Sequence, residues 1–476
     1  MFFSCFNFIL FFAISLFIGT KSKVKNAIIS FAFALFIVLE IVSFSFFNDP
    51  IGGNFIFYSI NLKIFKIAST TKLLAFYFGI LTFFAIFFLY YFILSKFQII
   101  RYKRLFFLSF FVFQLSPLGF IYSIFYDMIS DYKIYYDYKK YSYNDIFKIA
   151  KGIDYVDFDN LEIKNSNRPY KNLVMIYMES YDQSLLENEY TSKYTKNING
   201  LIKDAEYIKD MEQLYGTMGT IPGIITSQCG AQYNSFFLFK NPYSEVKKNT
   251  LFVCLSDVLY KAGYYQIFIG GANKQIVNKG NFLYSHKFDK VEDEISLTRE
   301  NGNLKNNLVE WGVSDYDVFE RAKKEYTKLS ENIRPFNLTL LTTATHNYNG
   351  SFDKRCPNSA DKKLLNAVEC TDYLVENFLN FLKTQDNFKD TLIVILPDHI
   401  QYEANELNGV IKSNKKRLYT IILNSDNKNI ISGKTNYTDL AELLLKKLNV
   451  ESNVVFLKRQ EDISIIKNFI YKIHNR

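Results

Sequence analysis

Apolar positions along this 476-residue chain fall into two regimes. Up to about residue 126 they form four long unbroken runs, roughly 1–20, 26–47, 73–95 and 105–126. Each is long enough for a helix crossing a hydrocarbon core about 30 Å thick, which takes about 20 residues. Beyond residue 168 the apolar stretches become short and β-branched. Asn172–Met178, Gln266–Ile269, Phe336–Thr342, Leu392–Leu396 and Leu418–Leu423 read as buried strands. Leu251–Ala262, Asp315–Leu329, Ala367–Lys383 and Thr438–Leu448 carry helical periodicity between and after them. Strands apolar on both faces and separated by helices predict an α/β domain with a mostly parallel sheet covered by helices.

The expected organisation is therefore a four-helix membrane anchor over 1–126, a Tyr- and Lys-rich connector over 127–168, a catalytic domain over 169–450 and a tail over 451–476. Charge sets the orientation. Residues 1–126 hold 10 of the 56 Lys and Arg residues and only two acids, Glu40 and Asp49, so +8 of the net +9 lies there. That excess sits between apolar runs, at Lys21, Lys23 and Lys25 and at Lys96, Arg101, Lys103 and Arg104, and gives no reason to expect a nucleic-acid partner. Basic loops stay cytoplasmic. Four crossings then place everything after residue 126 outside the cytoplasm, on the periplasmic or extracytoplasmic side of a cytoplasmic (inner) membrane. A cleaved signal peptide fits less well, because the lysines follow the first apolar run rather than precede it.

Cysteine usage fits an oxidising compartment. Cys229, Cys254, Cys356 and Cys370 lie in the soluble part, an even number that suggests two disulfides. Three pairings are open. The closest in sequence is Cys229 with Cys254 and Cys356 with Cys370.

Candidate chemistry gathers at the carboxyl ends of the expected strands, where open α/β sheets bind ligands. The first delivers Glu179; Leu392–Leu396 delivers Pro397, Asp398 and His399; Phe336–Thr342 delivers Thr343, Thr345 and His346. Carboxylates and imidazoles converging on one sheet edge suggest a divalent metal with mixed oxygen and nitrogen ligands. Singly, each has an ordinary explanation as a helix cap, surface ion-pair partner or core histidine. Thr220 follows Gly216 and Gly219 where a helix should begin, with Pro222 tolerated in its first turn. It reads either as a plain N-cap or as a hydroxyl nucleophile at the positive end of a helix dipole.

At this combination the sequence resembles the lipoteichoic acid synthase and phosphoglycerol transferase branch of the alkaline phosphatase and sulfatase superfamily, most of all the phosphoglycerol transferases of periplasmic glucans. The resemblance rests on Tyr177–Tyr181, the Gly-Thr-Met-Gly-Thr stretch through Gly230, Gly270–Asn273, Asn278-Lys279, Ser285–Phe288, Trp311-Gly312 with Asp315, Thr345-His346 and Pro397–His399. It implies an alkaline-phosphatase-like domain in which Glu179, Thr220, Asp398 and His399 hold a metal, manganese as a rule, with zinc or magnesium in relatives. Thr220 is then also the nucleophile, and His346, Lys279, Trp311 and Asp315 are expected at the substrate. The implied reaction moves phosphoglycerol from phosphatidylglycerol to an envelope glycan through a phospho-threonine intermediate. Two departures stand out. Gly270 and Val277 replace a substrate-contacting His and Trp of the lipoteichoic acid synthases, and Ile400-Gln-Tyr402 follows the Asp-His pair where phosphoethanolamine transferases differ. Phosphoethanolamine transfer is the main alternative, disfavoured by only four histidines. Hydrolysis of the sulfatase type ranks lower, since Thr220-Ile-Pro222-Gly223 lacks the modifiable Cys or Ser and the Arg. A catalytically silent scaffold is the alternative from another class.

Overall fold

A computed structural model describes residues 156–456, apart from 165–168, 215–216, 218, 232–252, 347–348, 402–406, 408–409, 412–415 and 434, together with Phe88. Apart from Phe88, the four apolar runs expected to cross the membrane lie outside the described residues. Among the described residues no helix is long and apolar enough to cross a membrane.

Eight strands form the central sheet: β1 Asn172–Met178, β2 Glu206–Met211, β3 Tyr265–Gly270, β4 Lys290–Glu292, β5 Phe336–Leu341, β6 Thr391–Pro397, β7 Leu418–Leu423 and β8 Ile430–Ser432. Their order is β8-β2-β7-β6-β1-β5-β3-β4. Only β7 runs against its neighbours, so the sheet is mostly parallel. The helices are α1 Gln183–Glu187, α2 Lys196–Leu201, α3 Thr220–Cys229, α4 Leu255–Lys261, α5 Lys279–Ser285, α6 Glu294–Glu300, α7 Asp315–Ser330, α8 Lys363–Lys383 and α9 Leu440–Lys447.

Alternation along β1 builds both layers. Val174, Ile176 and Met178 pack into one core with Val318 and Phe319 of α7 and Leu365, Val368 and Phe378 of α8. Leu173, Met175 and Tyr177 enter the other core with Ile224 and Ile225 of α3, Val258 of α4 and Leu444 of α9. A strand covered on both faces has no polar side to show, which is why it reads as an uninterrupted apolar run.

The predicted central strands appear within a residue or two of their expected ends. The strands that sequence reading did not anticipate are β2, β4 and β8. Glu206, Lys209 and Asp210 interrupt β2, and its buried Glu206 is neutralised by Lys447 at 2.5 Å. The helix expected from Leu251 instead begins at Leu255, because the Cys254 N–H is capped by Asp257 Oδ2 at 2.8 Å. Two short segments assigned from sequence to the connector and the tail pair with each other, Ile163–Lys164 antiparallel to Glu451–Ser452. Disulfides join Cys229 to Cys254 and Cys356 to Cys370. The first ties the last residue of α3 to the cap of α4.

Candidate metal centre

Strand register brings the site together. Met178 of β1 pairs with Pro397 of β6, and Tyr177 pairs with Leu341 of β5. The residues that follow, Glu179, Asp398 and Thr342, therefore leave the sheet side by side at its carboxyl edge. All three are buried, as is His399.

His399 Nδ1 donates to the Ile400 carbonyl at 2.7 Å, which leaves Nε2 facing Glu179 Oε1 at 3.1 Å and Asp398 Oδ2 at 3.7 Å. Asp398 Oδ1 accepts from the Ser180 and His399 amides, both at 2.8 Å. Its Oδ2 is buried without a hydrogen-bond partner. A carboxylate oxygen left bare beside an imidazole nitrogen and a second carboxylate is a set of donors suited to a divalent cation. One ligand atom from each of Glu179, Asp398 and His399 lies within 4.8 Å of the others.

The electrostatics agree with that fit. Burial raises the Glu179 carboxyl, but His346 and His399 outweigh it and hold the group well below the usual carboxylate range. Burial and the Glu179 charge push Asp398 up to about 8. Burial lowers His399, yet Asp398 and Glu179 raise it to about 9. A buried carboxyl raised in this way, such as that of Asp398, would release its proton on binding a cation.

Thr220 is the first residue of α3, and the N-cap is Gly219, with φ 138°. The hydroxyl therefore does not cap the helix. It donates to Glu179 Oε2 at 3.0 Å, and Thr220 is half-buried where the Glu179, Asp398 and His399 side chains are buried. The helix can come this close only because residue 223 is glycine: a Cβ there would strike the Asp398 carbonyl oxygen. The other end of α3 is held by Ser227 and Gln228, which bond the Tyr177 hydroxyl at 2.7 and 3.2 Å.

The remaining expected site residues are Lys279, His346, Trp311 and Asp315, of which Lys279 and Asp315 are buried. Lys279 opens α5 after two residues with left-handed backbone, Val277 at φ 48° and Asn278 at φ 58°. It is buried, and burial lowers its ammonium to about 8 although Glu179, Asp293 and Asp398 pull it up. His346 is half-buried, its ring 4.2 Å from that of Trp311. Asp315 is pushed up to about 6 by burial, and its oxygens accept from the loop after β5. Gly270 ends β3, and Val277 is exposed.

Sequence reading missed Ser180, whose left-handed φ of 51° turns its amide onto Asp398 and whose hydroxyl donates to Glu179 Oε1 at 2.8 Å. A serine between Glu and Tyr carries no signal of that. It also missed Gly223, although a glycine inside a helix next to a proline was a visible anomaly.

The sulfatase family model matches residues 171–430, more than half of the chain. Phosphoglycerol transferase I of Escherichia coli O127:H6 is 29% identical over 262 residues, 53% of this chain and 34% of that protein. The chain thus spans about a third of the length of the curated relatives it matches. Among solved structures, the lipoteichoic acid synthase LtaP from Listeria monocytogenes superposes with a TM-score of 0.53 at 14% identity, covering 67% of this chain and 80% of that one. A protein in the alkaline phosphatase superfamily from Vibrio parahaemolyticus gives 0.50 at 21% identity, covering 67% and 76%. These two likenesses carry the fold. The family match over more than half of its length shows that the chain belongs to the sulfatase family.

Proposed function

We propose that the chain is a membrane-anchored, metal-dependent phosphotransferase that moves phosphoglycerol from phosphatidylglycerol to an envelope glycan. The observation that carries this reading is the Thr220 hydroxyl, half-buried and bonded to a carboxylate of the buried Glu179, Asp398 and His399 cluster. The likeness to phosphoglycerol transferase I supports the choice of donor.

In this reading Glu179, Thr220, Asp398 and His399 hold the cation, with manganese preferred and zinc or magnesium as alternatives. A divalent cation held there would supply Lewis acidity, lowering the pKa of the Thr220 hydroxyl and offsetting phosphoryl charge. The rest falls to the chain's own groups. Glu179 Oε2 orients the Thr220 hydroxyl through their 3.0 Å hydrogen bond. The Oγ1–P bond forms as the bond from phosphorus to the diacylglycerol oxygen breaks. The threonine proton ends on the diacylglycerol oxygen, which leaves as a hydroxyl. In the second half the acceptor oxygen forms its bond to phosphorus as the Oγ1–P bond breaks, and the proton lost by the acceptor hydroxyl ends on Thr220 Oγ1. Lys279 neutralises phosphate charge, and His346 with Trp311 borders the glycerol group.

The anchor over 1–126 and the extracytoplasmic position of the domain belong to the same proposal, because a lipid donor is met at the membrane surface. The full-length protein is incubated with headgroup-labelled phosphatidylglycerol and, separately, phosphatidylethanolamine. Glycerophosphate should accumulate on the Thr220 peptide from the first lipid only, and the Thr220→Ala protein should neither accumulate it nor transfer it. Labelling from phosphatidylethanolamine alone makes the chain a phosphoethanolamine transferase. Undiminished transfer by Thr220→Ala sinks the mechanism.

A further inference from the structure

Asp315 opens α7 with its carboxylate turned inward, 3% exposed. Oδ1 accepts from the Thr343 amide at 2.8 Å and the Thr343 hydroxyl at 3.2 Å, and Oδ2 accepts from the Ala344 amide at 2.8 Å. Both oxygens are thus engaged by the loop that leaves β5, an arrangement unlike that of a residue holding a substrate.

The same loop grips Glu179. Thr342 Oγ1 accepts from the Glu179 amide at 3.0 Å, and the Thr345 hydroxyl donates to the Glu179 carbonyl. The backbone of the expected ligand is bracketed on both sides. The segment that carries Asp315 is fixed in turn. A Cβ on Gly271 would strike the Val313 carbonyl oxygen, and one on Gly312 would strike that of Gly271. The Val313 amide donates to the Gly271 carbonyl at 3.0 Å, and Trp311 lies against His346. Residues 311–315 therefore form a strap across the exits of β3 and β5.

We propose that Asp315 is a positioning residue: through the Thr343–Thr345 loop it fixes the Glu179 backbone, and so aims the Glu179 carboxylate at the divalent cation. This rests on the metal reading above. Groups that bond a metal ligand, as Thr342 and Thr345 bond Glu179, typically alter metal affinity about 10- to 100-fold when replaced, and Asp315 acts on Glu179 through the loop that carries them, at the lower end of that range. Asparagine at 315 turns one acceptor into a donor facing a backbone N–H, so the loop loses at least one hold.

The test titrates full-length protein in detergent with MnCl2 by calorimetry, beside steady-state kinetics on phosphatidylglycerol. Asp315→Asn is expected to weaken Mn²⁺ binding about tenfold or more while KM for the lipid changes little. Thr345→Val, which keeps the side-chain shape, is expected to weaken binding as well. The double variant should be no worse than the weaker single one, because both act through one loop. An Asp315→Asn protein that binds Mn²⁺ like wild type, or that raises only KM, overturns the inference and returns Asp315 to the substrate. Additive losses overturn the shared path. If Asp315→Asn does not fold, unchanged Mn²⁺ affinity in Thr345→Val overturns it alone. A wild-type protein that binds no Mn²⁺ overturns the metal reading of the function and this inference with it.

Discussion

Lys279 shows how burial sets a working range. Its ammonium is lowered to about 8 by burial, against the raising influence of Glu179, Asp293 and Asp398. A lysine is charged below its pKa and neutral above it, so the phosphate neutralisation proposed for Lys279 should be available at pH 7 and be lost as pH rises through about 8. The rate–pH profile of kcat/KM should show an alkaline limb there. Lys279→Arg, whose guanidinium stays charged, should remove that limb at some cost in rate. A limb that the arginine leaves in place belongs to another group. At this scale the sequence was readable in residue type and not in geometry. Glu179, Asp398 and His399 stood at strand ends, where their chemistry was visible. Whether Thr220 capped the helix depended on the position of its first turn, which the structure sets with Gly219 as the cap and which the neighbouring residue types left open. The Ser180 amide reaches Asp398 through a backbone angle that serine seldom adopts.

Helix α3 is positioned by contacts at its two ends and one in its first turn. Gly223 lets its backbone rest on the Asp398 carbonyl, and Cys229 binds its far end to Cys254. Gly223→Ala is expected to cost about 1–3 kcal/mol by overpacking and to weaken metal binding, since the methyl group must push α3 away from Asp398. Urea denaturation and Mn²⁺ titration of the variant measure the two effects. Replacing Cys229 and Cys254 together by serine should cost about 2–4 kcal/mol, judged from closing a loop of 25 residues. Thermal unfolding with and without reductant checks this, and equal midpoints for oxidised and reduced wild type would argue against it. Elements were legible in proportion to their burial. β1, β5, β6 and β7 are covered on both faces and were found from unbroken apolar runs. β8 has the exposed Ile430, β4 spans only Lys290–Glu292 and β2 carries charges, so none shows a period. The helices α1, α2, α5 and α6 hold five to seven residues each, too few turns for a periodic stripe.

At the scale of the molecule, the proposed topology predicts that protease added outside intact spheroplasts reaches the domain over 169–450 but spares the basic loop at 96–104. Cleavage of that loop from outside would invert the orientation. The α/β class was legible because strand and helix patterns alternate, whereas the strand order was not, since β1 pairs with strands far along the chain. That pairing reaches beyond the finished fold. Ser180, next to Glu179, bonds a side chain 218 residues later. As the chain is synthesised, Glu179 emerges first and waits for β6 to arrive with Asp398 and His399. On the proposed metal reading, loading of an ion is then a late event, and the compartment where the polypeptide finishes folding, rather than the one where translation begins, is expected to decide which metal the site receives.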